Sequence, residues 1–264
     1  MSRRSAILLV LPLSLGLAAA VAPPAPSTAR YRIETVAASA VDLSAVGQGE
    51  QKTEFTLTAF VTITLTDSAD GRVMHAVLDS SSVAPQPPGT PPGTLEGEKG
   101  AAYHAFITAN GRSQGFAVMG DSTAPKGGAL LVQILRDFYP SVRPGFKPGD
   151  TWTDSTETKE NQNGGTSTIV RITQYSAGPE AAWAGRQGHQ LGAETSFTVS
   201  AQADNAGGPT SVEGTGTGSA TWYVTSTGEF LGGTSASTGD LTAMTAFGDF
   251  PVKQTSQTTI TALP

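Results

Sequence analysis

The chain has 264 residues, no cysteine, 16 Lys plus Arg against 22 Asp plus Glu, and a charged fraction of 14%, well below the usual share of about a quarter. The missing cysteines exclude disulfides, thiolate metal sites and a lipidated cysteine, and the acidic balance lacks the basic footprint that a nucleic-acid partner requires. Thr, Ser, Gly and Pro fill 107 positions, which favours strands and turns, because threonine is stiff at χ1 while glycine and proline interrupt helices.

Residues 1–29 read as a secretory signal: Arg3 and Arg4, an apolar run from Ala6 to Ala22, then small residues and prolines ending Ser27-Thr28-Ala29. The run holds 17 residues and is broken by Pro12, Ser14 and Gly16, short of the roughly 20 apolar residues of a spanning helix. Cleavage is expected after Ala29 or Ala20. Removing this segment leaves 14 basic against 22 acidic residues, a formal −8, and an exported chain with no spanning segment. Residues 30–264 read as one β-rich domain, with a first half at 30–125, a helix at 126–140 and a second half at 145–264.

The first half opens with a strand over Tyr31 to Val36. From Glu54 to Thr66, apolar Phe55, Leu57, Ala59, Val61, Ile63 and Leu65 alternate with threonines and Phe60. That period of two predicts a long strand with one apolar and one threonine face. Asp67 to Gly71 turns the chain into a second strand over Arg72 to Asp79. Val83 to Gly100 carries Pro-Pro-Gly-Thr twice in tandem and is expected as an exposed loop, with a polyproline-type recognition site as the functional alternative. Tyr103 to Thr108 and Gly115 to Met119 flank Asn110-Gly111, a strong hairpin signal because both residues tolerate positive φ.

A helix is expected at about 126–139, where Leu130, Leu131, Val132, Ile134, Leu135, Phe138 and Tyr139 leave only a narrow polar stripe of Gln133, Arg136 and Asp137. So much apolar circumference requires cover on more than one side and places the helix in the concavity, or the open end, of a curved sheet. Pro-Gly-Asp-Thr-Trp at 148–152 then enters the second half. Strands are expected over 153–159, 166–173, 194–200, 218–225, 229–235 and 253–261, with a Gly-rich connection at 204–218. Phe106 to Gly111 with Gly115 lines up with Tyr223 to Gly228 and Gly232 at an offset of 117, and Leu65-Thr66 with Gly71 lines up with Ile172-Thr173 and Gly178 at 107. These alignments suggest two similar halves around the helix.

Few constellations point to chemistry. Gly111-Arg112-Ser113-Gln114-Gly115 matches the G-x-S-x-G nucleophile elbow, but a hairpin turn and a strand surround it where the elbow needs a strand, a strained turn and a helix. A serine hydrolase through Ser113 is the least supported reading. His75, His104 and His189 lack i, i+4 pairing and any H-E-x-x-H pattern; His75 and His104 lie on strands that could meet across a sheet. Gly214, Gly216 and Gly218 lack the helix of a phosphate loop, and Asp67 and Asp70 lack calcium-loop spacing. Trp152, Trp183 and Trp222, with Phe138, Phe146 and Tyr223, suit a carbohydrate or lipid site or, more simply, a core. No catalytic residue, metal or cofactor is expected, and no ligand-binding residue is assigned. An outer-membrane barrel fits poorly with a mid-chain apolar helix, few aromatics and a terminal Ala262-Leu263-Pro264.

The signal segment, the β-hairpins with the Asn-Gly turn, the apolar helix ending Phe138-Tyr139-Pro140 and the Lys147-Pro148-Gly149-Asp150-Thr151-Trp152 entry together resemble a family of uncharacterised exported bacterial proteins. That resemblance implies a periplasmic or extracellular location. At the level of fold alone, a curved antiparallel sheet around an apolar helix is similar to the periplasmic lipoprotein-carrier half-barrels. The expected fold is therefore mainly β, an antiparallel curved sheet or half-barrel. The expected function is non-enzymatic: binding of a lipid or other apolar or amphipathic ligand in a cleft between sheet and helix. The alternative is a structural or interaction module that meets an envelope protein through exposed strands and the Pro85 to Thr94 loop.

Overall fold

The computed structural model describes residues 26–120, 126–143, 145–162, 165–205, 208–226 and 228–264. The elements are β1 (Ser27–Asp42), β2 (Glu50–Ser68), β3 (Gly71–Ala84), β4 (Ala102–Thr108), β5 (Ser113–Met119), α1 (Ala129–Arg136), β6 (Thr151–Gln162), β7 (Gly165–Trp183), β8 (Arg186–Asn205), β9 (Gly208–Val224), β10 (Phe230–Thr245) and β11 (Gly248–Ala262). All the strands join one sheet in the order β5-β4-β3-β2-β1-β11-β10-β9-β8-β7-β6. The first and last strands thus pair at its middle, Ile33 opposite Ile260. Most of the expected signal segment lies outside the described residues. Its last three residues are strand: Ser27, Thr28 and Ala29 pair with Leu65, Thr64 and Ile63.

The alternation read over 54–66 sets the two faces. Leu57, Ala59, Val61 and Ile63 are buried on the inner face, and the register carries that face to Tyr31 and Ile33 on β1 and, past the bulge at Phe60/Val61, to Leu78, Ala76 and Met74 on β3. α1 lies in this concavity. Its Leu131 and Leu135, with Phe138 just beyond, join Tyr31, Leu57, Met74, Tyr103, Phe230 and Ile260 in one core. Each such side chain contributes about 1.5–3 kcal/mol by leaving water. Phe138 meets Tyr31 edge to face with ring centroids 4.9 Å apart, and Phe230 at 5.3 Å.

Three expectations change. The helix is shorter than 126–140, because Gly128 enters it at φ +73° and a Cβ there would stand 2.1 Å from the Gly97 nitrogen. The first helical N–H groups are capped by the Pro-rich loop: Ala129 N–H donates to the Thr94 carbonyl at 2.8 Å and Leu130 N–H to that of Leu95 at 3.1 Å. That loop is consequently exposed only in part, with Glu96 and Gly97 buried under the helix start. Of the Gly-rich connection expected at 204–218, residues 208–218 are strand and form the first part of β9. A Cβ on Gly216 would fall 2.1 Å from the Phe197 ring, so glycine is there because an aromatic side chain from β8 lies across it.

The structure does not confirm two similar halves. The 117 offset does superpose two turns of the same design: Thr108 N–H and Thr225 N–H bond the Arg112 and Glu229 carbonyls, and Gly111 N–H and Gly228 N–H bond the Thr108 and Thr225 carbonyls. The likeness ends there. β4 and β5 have seven residues each, whereas β9 and β10 have 17 and 16. At the 107 offset, Gly71 begins a strand while Gly178 sits in a bulge inside β7.

Candidate functional site

The space between helix and sheet, expected to hold an apolar ligand, is filled by side chains. Tyr103, Leu57, Met74, Leu131, Leu135 and Phe138 are each at most 1% exposed, a closely packed interior among the described residues. The tyrosines at its margin anchor backbone: the Tyr31 hydroxyl donates to the Phe230 carbonyl at 2.9 Å and that of Tyr103 to the Gly127 carbonyl at 2.5 Å. Burial pushes both phenols above their usual range, and Tyr139 likewise. The hollows lie elsewhere. One of about 420 Å³ is an open trough on the outer face of β8–β11, lined by Glu194, Ser219, Thr221, Thr234, Gln257 and Thr259 among others. Another of about 440 Å³ lies by the end of β8, the start of β9 and the end of β10, beside Gln202, Ser211 and Met244.

A set of polar contacts gathers at the open seam of the sheet. Every neighbouring pair is antiparallel, so with eleven strands the two edges, β5 and β6, run parallel. Parallel strands require a crossover of a dozen or more residues, and the chain between Met119 and Thr151, containing α1, is that crossover. Its last part straps the seam. Val142 N–H donates to the Asn110 carbonyl at 2.8 Å on one side. On the other, the Trp152 indole donates to the Ser141 carbonyl at 3.0 Å and Arg171 holds Asp137 at 2.6 Å. Arg112, from the β4–β5 turn, pairs with Asp154 of β6 and donates to the Ser155 carbonyl at 3.3 Å.

The residues singled out in the sequence are dispersed. Ser113 begins β5, and its buried Oγ has no hydrogen-bond partner among the described residues, so no histidine is in place to activate it. His189 lies 3.9 Å from Glu180 and edge-on to Phe146, with ring centroids 5.5 Å apart. His75 and His104 do meet: they are opposite residues of β3 and β4. The tryptophans are half-buried and packed against other rings. Trp152 stacks on Tyr175 and Trp183 on Tyr223, and Trp222 packs against Phe230. The Trp183 indole also donates to the Ile260 carbonyl at 3.1 Å; Ile260 is opposite Gly233, which with Gly232 has positive φ and follows the β10–β9 bulge at Phe230/Gly232. Sequence reasoning missed the seam. Its partners stand tens of positions apart, and Arg112 drew notice only as a letter of the elbow motif.

The outer face bears Arg30, Arg32, Lys52, Glu54, Glu194 and Lys253 among its threonines and serines, all exposed. A lipid-facing barrel wall carries an apolar band in that place. Among the described residues, no helix is long and apolar enough to cross a membrane.

No protein-family model and no curated protein matches the chain. Among solved structures, the crystal structure of Pseudomonas aeruginosa OccK2 (OpdF) is similar over 90% of this chain and 98% of that one, at 7% identity and a TM-score of 0.31. The same protein in complex with glucuronate is similar over 90% and 97%, at 8% identity and a TM-score of 0.24.

Proposed function

We propose that the protein is a non-enzymatic, exported component of the bacterial envelope that binds a protein partner by strand addition along the open edge of β6. The observation that carries this reading is that β6, though strapped at its start, has no strand paired along its outer edge. β6 has a partner strand on one side only, and the Ser155 carbonyl, turned to the other side, accepts its hydrogen bond from Arg112 across the seam. By the alternation of a strand, the N–H and C=O groups of Thr153 and Glu157 face the same way. A free edge of this kind is a template for an incoming strand. The signal-like first 29 residues support export, and the filled space under α1 favours a macromolecular partner over an enclosed apolar ligand.

Glu157→Pro removes one free-edge N–H and leaves the β6–β7 ladder intact. With a photocrosslinking residue at Thr153 in native envelopes, one discrete adduct is expected, lost on adding Glu157→Pro at an unchanged melting temperature. The same adduct from a crosslinker at Thr238, in the middle of the sheet, or one indifferent to the proline, overturns the reading.

A further inference from the structure

Two of the three histidines stand side by side on the outer face. His75 and His104 are directly opposite in the antiparallel ladder of β3 and β4, which sets their Cβ atoms about 5 Å apart with both rings on one face. Both are exposed, and neither imidazole has a hydrogen-bond or ion-pair partner among the described residues. The flanking rows hold Val73 opposite Phe106 and Val77 opposite Ala102, so no fixed cation of β3 or β4 adjoins the pair. Along the row, Thr64 on β2 is opposite His75, its hydroxyl engaged by Thr28 at 3.1 Å. Ala117 on the edge strand β5 is opposite His104 and presents only a methyl group. The solvent side of the two rings is therefore open.

We propose that His75 and His104 form a two-imidazole chelate for a first-row divalent transition-metal ion, with water in the remaining positions. Neutral imidazole is a ligand for copper, nickel and zinc, and with a fixed ligand set Cu(II) binds ahead of Ni(II) and Zn(II). Magnesium and calcium want clustered carboxylate and carbonyl oxygens, which this row lacks. With two protein ligands the site is an exchangeable surface site, unlike a structural zinc centre with its four. The ion ties β3 to β4 only while these strands are paired, so binding stabilises the folded chain. This proposal does not draw on the open edge of β6.

The test is calorimetric titration of the full chain with Cu(II), Zn(II) and Mg(II) salts, with electron paramagnetic resonance of the Cu(II) form. One equivalent of Cu(II) with two-nitrogen hyperfine structure is expected, Zn(II) binding more weakly and Mg(II) not at all. His75→Ala and His104→Ala should each weaken Cu(II) binding at least about tenfold and abolish the Cu(II)-induced rise in melting temperature, while His189→Ala leaves both unchanged. Being exposed, the two positions tolerate alanine without loss of fold. The proposal is overturned if the chain takes up no Cu(II) at about 1 mM, or if the His75→Ala/His104→Ala double variant binds it as tightly.

Discussion

Tyr31 shows how one side chain can join the elements of this protein. Its ring packs on Phe138 beyond the helix, and its hydroxyl bonds the first residue of β10. Burial holds it neutral, as it does Tyr103 and Tyr139. The unfolded chain ionises its tyrosines near pH 10 while the folded chain resists, so their contribution is fully present below about pH 10 and is lost as pH rises through the raised values. Unfolding free energy from urea titrations should be flat from pH 7 to about 9.5 and fall steeply above 10. Tyr31→Phe should cost about 1 kcal/mol at pH 7 through the lost hydrogen bond and should make the alkaline fall shallower. An equal slope in the variant would show that Tyr31 is not one of the groups responsible.

Among the elements, β9 departs most from expectation. Its Gly214, Gly216 and Gly218 lie on the inner face, where Leu241 crowds Gly214 and Phe197 crowds Gly216. An aromatic or aliphatic side chain from the neighbouring strand replaces the missing Cβ, which turns a run with poor strand propensity into the interior of a sheet. Gly216→Ala should lower stability by about 1–3 kcal/mol through overpacking. Combining it with Phe197→Ala should cost less than the sum of the two single changes, since the residues touch. Strict additivity in chemical denaturation would show that the ring is not what requires glycine.

For the whole molecule, parity decides the shape. Eleven strands, each antiparallel to its neighbours, leave parallel edges that have no short way to pair, and the chain uses α1 and a strap of hydrogen bonds to cover the gap. The Arg112–Asp154 pair is a latch on that seam, with Arg112 40% exposed and Asp154 10%. Water screens the arginine, so Arg112→Gln should change global stability by no more than about 1 kcal/mol. Its effect should be local: faster amide exchange at Val142 and along the start of β6, with β1 and β11 unchanged. Uniform acceleration across the sheet would refute a local latch.

Low charge, abundant threonine and the alternation from Phe55 to Leu65 were enough to read a mainly β, antiparallel protein with a polar outer face. The apolar circumference around Leu131 and Leu135 required a helix in the concavity or at the open end of the sheet, and the structure places it in the concavity. Those features are local, set by periodicities of two and 3.6 residues that a single segment displays. Strand lengths were not legible in β7–β10, because glycine, serine and alanine there lack the alternation of polarity that marks a strand and gain their packing from the adjacent strands. Nor was the meeting of β1 with β11 or the strap at Ser141 and Val142; for His75 and His104 the sequence showed strands that could meet, but not the direct register across 29 positions. Register and closure depend on summed contacts between distant segments, and those exist only once the sheet has assembled.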